Sequence, residues 1–304
     1  MRIVFMGTPD FAVPSLEILL NNGHTIAAVV TATDKLGGRG GKQLIESAVK
    51  RSALSHNLPI LQPEKLRNED FLTALRASQA DLFVVVAFRM LPEMVWRMPK
   101  FGTMNLHGSL LPKYRGAAPI NWAVINGEKE TGVTTFLLQH EIDTGEIIFS
   151  EKTFIDELDT AGTVHDKLMN IGAALVLKSV NAIENNSVIP KQQPDEAASH
   201  APKIFTAQCQ INFDQNVEQV YNFIRGMSPF PTAWTTLDGL VLKVFASNKE
   251  VTAHHLKIGS IETDSKTYFK IAAKNGFIHL LDVQLEGRKR MPIEMFLMGY
   301  KLNQ

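Results

Sequence analysis

The feature that most constrains the fold is an alternation of short apolar runs with helical patterns in the first half of the chain. The apolar runs are too short for core helices, and the segments between them repeat apolar residues at intervals of three and four. The runs are residues 3–6, 27–30 and 82–87, and the helical patterns are residues 14–22 and 44–56. This rhythm is typical of βαβ units, so it predicts an α/β fold with a Rossmann-like, mostly parallel sheet covered by helices on both faces.

The same kind of pattern continues further along the chain and then stops. We expect strands at residues 102–106, 132–138 and 146–150, and helices at residues 118–126 and 163–185. The next stretch carries several prolines and few large apolar side chains, which is typical of an extended linker, here placed at residues 190–206.

The C-terminal third predicts a domain of a different class. One helical pattern covers residues 217–227, and the short β-rich runs are residues 210–213, 232–236, 240–246, 258–262, 268–272 and 276–283. Several short strands with one helix indicate a smaller, OB-like β-barrel. The predicted organisation is an N-terminal α/β domain at 1–189, the linker, and a C-terminal barrel domain at 207–304.

Composition and charge exclude several classes of protein. The chain has 304 residues, 45% of them apolar, which suits about two domains with proper cores. A single cysteine, Cys209, excludes a disulfide framework and favours a cytoplasmic location. The early strand and the lack of a long apolar run lead us to expect neither a leader peptide nor a membrane span. The 31 basic and 31 acidic residues argue against a general nucleic-acid coat, although a local basic patch stays possible.

Common cofactor motifs are absent from the sequence. Residues 7–11 read Gly-Thr-Pro-Asp-Phe, where a dinucleotide-binding fold carries its glycine-rich turn, and Pro9 is incompatible with that turn. There is no Walker A sequence and no His-Glu-x-x-His motif. The doublet His254-His255 lies in a polar stretch and is more typical of a solvated pair. We therefore expect no nicotinamide cofactor, no ATPase activity and no metal.

Three polar residues follow predicted strands and form a candidate catalytic group. Asn105 and His107 are two residues apart, so both side chains leave the strand on the same side. Asp143 lies in a polar loop after the next predicted strand. An amide, an imidazole and a carboxylate at neighbouring strand ends supply an oxyanion donor, an acid/base group and a charge that orients it. An isolated Asn-x-His pair would more often be an ordinary strand end.

The sequence around these residues resembles a known family. Residues 105–112 read Asn-Leu-His-Gly-Ser-Leu-Leu-Pro, residues 114–120 read Tyr-Arg-Gly-Ala-Ala-Pro-Ile, and residues 143–145 read Asp-Thr-Gly. With the Gly-Thr-Pro-Asp-Phe-Ala start and a β-rich end containing residues 287–292, the chain resembles the folate-dependent formyltransferases over nearly its whole length. Within that superfamily it is similar to the members that act on methionyl-tRNA.

This resemblance implies an activity and roles for the three residues. The family moves a formyl group from N10 of 10-formyltetrahydrofolate, the co-substrate, to the α-amino group of initiator methionyl-tRNA, and uses no metal. By the same resemblance, Asn105 donates to the oxyanion, His107 stabilises that charge and moves protons, and Asp143 orients His107.

The resemblance also implies residues that line a folate cleft. They are Ser109, Leu110, Leu111 and Pro112 after the catalytic strand, and Phe88, Arg89, Met90 and Leu91 after the central strand. For Phe88, Leu91, Leu110 and Leu111, ordinary core packing is an equally good interpretation.

Contacts with tRNA and the methionyl group are implied in two places. Residues 34–42 form a basic, glycine-rich loop containing Arg39 and Lys42, and the family places such a loop against the tRNA acceptor stem. Lys203 in the linker is a candidate phosphate contact, and Phe11 is a candidate neighbour of the methionyl side chain, although a core position suits it equally well. No pattern indicates a subunit interface, so we expect a monomer.

Two alternatives remain open. The chain could be another formyl-folate enzyme, namely a sugar-nucleotide or glycinamide-ribonucleotide formyltransferase, or a formyl-folate hydrolase. The basic loop and the C-terminal β domain argue against these. A noncatalytic RNA-binding protein on a degenerate formyltransferase fold is the other alternative, and it has no use for an oxyanion donor beside an oriented histidine.

Overall fold

The protein is described by a computed structural model that covers residues 1–37 and 43–300. It divides into two compact units, and each unit draws on separate parts of the chain. The first unit contains residues 1–116, 132–153 and 165–200, and the second contains residues 117–131, 154–164 and the chain from residue 201 onward. Because the units are interleaved along the chain, the domain limits proposed from the sequence stay a prediction.

The first half of the chain builds the predicted parallel sheet. The strands up to residue 154 are β1 (Arg2–Gly7), β2 (Thr25–Val30), β3 (Lys35–Gly37), β4 (Gln43–Ile45), β5 (Ile60–Leu61), β6 (Leu82–Val86), β7 (Thr103–His107), β8 (Arg115–Gly116), β9 (Glu130–Leu137) and β10 (Ile147–Phe154), and all of them except β3, β4 and β8 belong to the large sheet. Within the described residues, a seven-stranded sheet has the order β10-β9-β7-β6-β1-β2-β5, and β3 pairs with β4 as a hairpin. The neighbouring strands β5, β2, β1, β6 and β7 all run parallel to one another. Strand β9 pairs with β7 in the antiparallel direction. The Rossmann-like prediction is confirmed.

Helices cover this sheet because its strands are apolar on both faces. The helices up to residue 184 are α1 (Val13–Asn21), α2 (Ala48–Ser55), α3 (Glu69–Ala77), α4 (Glu93–Trp96), α5 (Pro119–Ile125) and α6 (Ala161–Glu184), of which α5 belongs to the second unit. Every residue of β6 is buried, as expected for a central parallel strand. Phe71, Leu72 and Leu75 of α3 pack on one face of the sheet, against alternate residues of β1, β2 and β6.

A close backbone approach explains the glycine at the end of β1. A Cβ atom on Gly7 would lie 2.7 Å from the Cβ of Ala12 and 3.0 Å from the carbonyl oxygen of Val86. The turn after β1 therefore lies directly against β6, in the region where a dinucleotide-binding fold would carry further glycines. Gly7 therefore serves close packing here.

The C-terminal part of the second unit is an antiparallel β domain. Its elements are α7 (Val217–Met227) and α8 (Ile293–Gly299), with strands β12 (Ala233–Leu237), β13 (Leu240–Val251), β14 (Ile261–Thr263), β15 (Phe269–Ala273), β16 (Gly276–Leu285) and β17 (Met291–Pro292). The short strand β11 (His200–Ala201) precedes this domain and is not part of its sheet. The sheet order is β12-β13-β16-β15-β14, and β17 pairs with β16. Both helices bury their apolar faces in the core of this sheet. The prediction of a β domain is confirmed, and its closure into an OB-like barrel stays a prediction.

Several predicted elements differ from the structure. The helix predicted at residues 44–56 begins only at Ala48, because Leu44 and Ile45 belong to β4, where both are more than half exposed. Helices α3, α4 and α8 were not predicted. Residues 210–213 are not a strand, since pairing is limited to an isolated bridge between Gln210 and Trp234.

Two further observations concern the classes considered from composition. No helix among the described residues is long and apolar enough to cross a membrane. The thiol of Cys209 lies in the core of the β domain, where burial raises its pKa. This cysteine therefore has a packing role.

The start of α2 generates a stability prediction. The Ser47 side chain accepts a hydrogen bond from the Lys50 backbone N–H at 3.0 Å and also contacts the Thr31 hydroxyl at 2.7 Å. We expect Ser47→Ala to lower the free energy of unfolding by about 1 kcal/mol, because an N-cap is lost. Urea unfolding of the purified protein measures this. Ser55→Ala is the matched control at the other end of α2, and an equal loss there would contradict the capping role.

Candidate active site

The candidate catalytic residues lie at the carboxyl edge of the parallel sheet. Strand β7 pairs with β6 on one side and with β9 on the other. Asn105 and His107 lie in its C-terminal half, and His107 is its last residue. Their side chains share one side because they are two residues apart. Ligands of open α/β sheets bind at this edge.

His107 is held by a backbone carbonyl. Its side chain is 7% exposed, and Nε2 lies 2.8 Å from the carbonyl oxygen of Tyr114. A carbonyl oxygen can only accept a hydrogen bond, so Nε2 carries a proton in this arrangement. In the neutral ring the lone pair is therefore on Nδ1, and Nδ1 is the nitrogen that can accept a proton.

The Asp143 carboxylate faces that nitrogen. Asp143 Oδ2 lies 3.7 Å from His107 Nδ1, and the same oxygen accepts a hydrogen bond from the Gly116 backbone N–H at 2.9 Å. The separation from Nδ1 is longer than a hydrogen bond, so in this arrangement the carboxylate acts on the ring through its charge and makes no direct hydrogen bond to it. A proton received on Nδ1 would face the carboxylate charge directly.

Asn105 offers an amide that the protein itself does not use. The residue is partly buried, and its side chain makes no hydrogen bond within the part of the chain that the structure describes. Its N–H groups are therefore available to a ligand oxygen. The predicted group of Asn105, His107 and Asp143 thus lies within one unit at one sheet edge, with the histidine and the aspartate facing each other.

The loop after β7 is fixed to strand β9. The Thr134 hydroxyl donates to the carbonyl oxygen of Ser109 at 2.7 Å and accepts from the Leu111 N–H at 3.1 Å. Ser109 is fully buried, and its hydroxyl donates to the Lys113 carbonyl at 2.6 Å. Leu111 is 7% exposed, whereas Leu110 and Pro112 are partly exposed. The predicted folate-lining segment is therefore a rigid turn beside His107.

The second predicted folate-lining segment is mixed in character. Leu91 belongs to the core under the sheet, and Phe88 packs partly against the same core. The Arg89 guanidinium donates to the carbonyls of Pro63 and Glu64, while Met90 is 70% exposed. Core packing thus accounts for Leu91, and the folate role of this segment stays a prediction.

The predicted tRNA and methionyl contacts are spread over the chain. Phe11 is 7% exposed, and its ring centroid lies 5.1 Å from that of His165 in the first unit. Lys203 is exposed in the second unit, with Nζ 5.3 Å from the centroid of the Phe205 ring. Arg39 and Lys42 lie outside the described residues. The roles of all four stay predictions.

Sequence reasoning missed the groups that hold the catalytic side chains. The Tyr114 carbonyl and the Gly116 N–H fix His107 and Asp143, and a residue sequence does not reveal the role of a backbone atom. The only signal in the sequence was the Tyr-Arg-Gly motif at residues 114–116, which contains both backbone groups but does not indicate what they bind. Gln193, which donates to the loop of Asp143, lies in the stretch interpreted as a linker.

A resident metal ion has no cluster of ligands in the described residues. No group of three or more His, Cys, Asp or Glu side chains there is arranged to hold one.

Comparisons with known proteins match both units of the chain. A family model described as formyl transferase matches residues 1–180, and one described as formyl transferase, C-terminal domain, matches residues 203–301. The chain is 52% identical over 312 residues to a methionyl-tRNA formyltransferase of Bacteroides thetaiotaomicron, covering 100% of this chain and 97% of that protein. It is 54% identical over 311 residues to the protein of that name from Phocaeicola vulgatus, covering 99% and 96%.

A solved structure of another enzyme has the same fold. The sugar 3N-formyl transferase WlaRD, crystallised in the presence of dTDP and 5-N-formyl-THF, superposes with a TM-score of 0.70 at 23% identity. The match covers 95% of this chain and 99% of that one. It supports the fold assignment of the whole chain.

Proposed function

This chain belongs to the formyl transferase family, and from that premise we propose that it transfers the formyl group of 10-formyltetrahydrofolate to the α-amino group of initiator methionyl-tRNA. The observation that carries the proposal is identity of 52% over the whole chain with a methionyl-tRNA formyltransferase. The product, N-formylmethionyl-tRNA, is the aminoacyl-tRNA of translation initiation. We further propose that the enzyme acts as a monomer in the cytoplasm.

The reaction starts with a nucleophile that needs little activation. A free α-amine has a pKa of about 7.7 to 8, and esterification of the neighbouring carboxyl lowers it further. Neutral amine attacks the formyl carbon, the new C–N bond forms, and the carbonyl electrons move onto oxygen. The protein must then stabilise this oxyanion and move one proton from the attacking nitrogen to N10 of the folate.

The geometry supports a distinct role for each catalytic residue. The unpaired amide of Asn105 donates to the oxyanion, in the manner of an oxyanion hole. Nδ1 of His107 carries the lone pair, so it accepts the proton of the attacking amine and passes it to N10 as the C–N10 bond breaks. The Asp143 carboxylate, 3.7 Å away, stabilises the imidazolium that forms in between.

We propose separate sets of residues for binding the folate, the methionyl group and the tRNA. Ser109, Leu110, Leu111 and Pro112 line the folate cleft together with the segment 88–91. Phe11 contacts the methionyl side chain. Arg39, Lys42 and Lys203 contact tRNA phosphates.

The proposed function has a direct test. The purified protein is incubated with 10-formyltetrahydrofolate and charged initiator tRNA, elongator methionyl-tRNA, free methionine or an amino-sugar nucleotide. We expect formyl-methionyl product with initiator tRNA and little with the other acceptors. Comparable transfer to free methionine or to the sugar nucleotide would contradict the tRNA assignment, and release of formate without transfer would indicate a hydrolase.

Asn105→Ala tests the oxyanion role. We expect turnover to fall about 100- to 1,000-fold, because one oxyanion donor is lost. The KM for each substrate should change far less, since the donor acts mainly in the transition state. Asn22→Ala is the matched control, because Asn22 is exposed at the end of α1, towards the opposite edge of the sheet. Activity within a few-fold of the parent would contradict the assignment.

Arg39→Ala tests the tRNA role of the basic loop. We expect kcat/KM for methionyl-tRNA to fall while the Kd for formyl-folate is unchanged, and we expect a weaker dependence of tRNA affinity on salt. Arg76→Ala is the control, since Arg76 lies on α3 and forms an exposed ion pair with Glu69. Equal loss of tRNA and folate binding would indicate a folding defect in place of a lost contact.

A further inference from the structure

One buried side chain connects the chain after α6 to the loop of Asp143. Gln193 is 9% exposed, and its Nε2 donates two hydrogen bonds, one to the carbonyl of Asp143 at 2.9 Å and one to the carbonyl of Gly145 at 2.7 Å. The amide nitrogen therefore donates both of its hydrogen atoms to the loop formed by residues 143–145. All of these residues belong to the first unit.

The orientation of this amide is determined by its neighbours. Gln193 Oε1 accepts a hydrogen bond from Arg115 Nε at 3.1 Å. A guanidinium can only donate and a carbonyl can only accept, so the amide oxygen must face Arg115 and the nitrogen must face the loop. Arg115 is itself fixed, because its two terminal nitrogens both donate to Asp195 Oδ1 at 3.1 Å.

The backbone that carries Gln193 is anchored on both sides. Before it, Lys191 exchanges backbone hydrogen bonds with Ile147 at 2.7 and 2.9 Å. After it, the Ser199 carbonyl accepts from the Arg115 N–H at 2.9 Å, and the Ser199 hydroxyl accepts from the Tyr114 N–H at 2.9 Å. Gln193 therefore meets the Asp143 loop from a fixed position.

The loop needs such a support because of its backbone conformation. Asp143 has a φ of +55°, in the left-handed region that residues other than glycine rarely adopt. At Gly145 the chain lies so close to β9 that a Cβ would fall 1.7 Å from the Leu137 carbonyl oxygen. The carboxylate faces His107 only while this conformation is kept, and the two Gln193 hydrogen bonds bracket it.

We propose that Gln193 is a positioning residue for Asp143: its side-chain amide holds the Asp143 loop so that the carboxylate faces Nδ1 of His107. The catalytic interpretation of this effect rests on the proposed function, whereas the geometric effect does not. Gln193 acts through Asp143 and does not touch the reacting atoms.

The test compares two neighbouring glutamines in the full-length protein. Gln193→Met keeps the length of the side chain and removes its hydrogen bonds, and Gln192→Met makes the same change at the exposed neighbouring position. We expect kcat of Gln193→Met to fall about 10- to 100-fold, because a small misplacement of a catalytic group has effects of this size. The KM values for formyl-folate and methionyl-tRNA should stay within about threefold of the parent. Gln192→Met should match the parent throughout.

A double-mutant comparison separates positioning from general stability. If Gln193 acts through Asp143, adding Gln193→Met to Asp143→Asn should lower kcat little further, because the residue it positions has already lost its charge. A full additional loss would show that Gln193 acts elsewhere and would overturn the proposal. If Gln193→Met does not fold, Gln193→Asn replaces it, since this shorter amide stays polar but cannot span both the loop and Arg115.

A second measurement does not depend on activity. In protein labelled with ¹⁵N in histidine, the His107 ring signals, assigned with a His107→Gln variant, should shift in Gln193→Met and in Asp143→Asn but not in Gln192→Met. Unchanged signals in Gln193→Met together with parental kcat would overturn the proposal. If the parent does not formylate methionyl-tRNA, the proposed function is wrong, and the ring signals still decide whether Gln193 positions Asp143.

Discussion

The hydrogen bond from His107 to the Tyr114 carbonyl is the interaction on which the rest of the site depends. It fixes the proton on Nε2 and therefore leaves the lone pair on Nδ1, the nitrogen that faces Asp143. With the opposite tautomer, Nδ1 would carry a proton toward the carboxylate and the ring would have no free base on that side. The positions of the strand end and of the Asp143 loop support proton transfer at Nδ1 only with this tautomer.

Keeping that arrangement requires backbone conformations that are unfavourable on their own. Tyr114 and Asp143 both have positive φ values, +61° and +55°, and such residues each cost on the order of 1–3 kcal/mol. The surrounding hydrogen bonds offset this cost. Ser199 holds the Tyr114 N–H, and Gln193 holds the loop of Asp143. The segment after α6 thus contributes to the site although none of its side chains is part of the catalytic group.

The fold and the placement of the candidate side chains at one sheet edge were largely predictable, for a simple physical reason. Apolar runs of strand length are local in sequence, and the two-residue spacing of Asn105 and His107 is sufficient to place both on one side of β7. What could not be predicted depends on contacts between distant segments. Leu44 and Ile45 are apolar but exposed in a hairpin, so their pattern was misleading. The stretch containing Gln193 is polar and proline-rich, as linkers are, yet it is anchored by backbone bonds that no composition reveals.

The distribution of charge around Asp143 explains why a neutral amide stands at position 193. Arg115 is 8% exposed and lies one residue from Gly116, which hydrogen-bonds the Asp143 carboxylate. An ion pair between Arg115 and Asp143 would neutralise the carboxylate and deprive the His107 imidazolium of its counter-charge. Asp195 pairs with Arg115 in its place, and Gln193 connects the guanidinium to the loop only through uncharged groups. The Asp143 charge therefore remains directed at His107, as the proposed proton transfer requires.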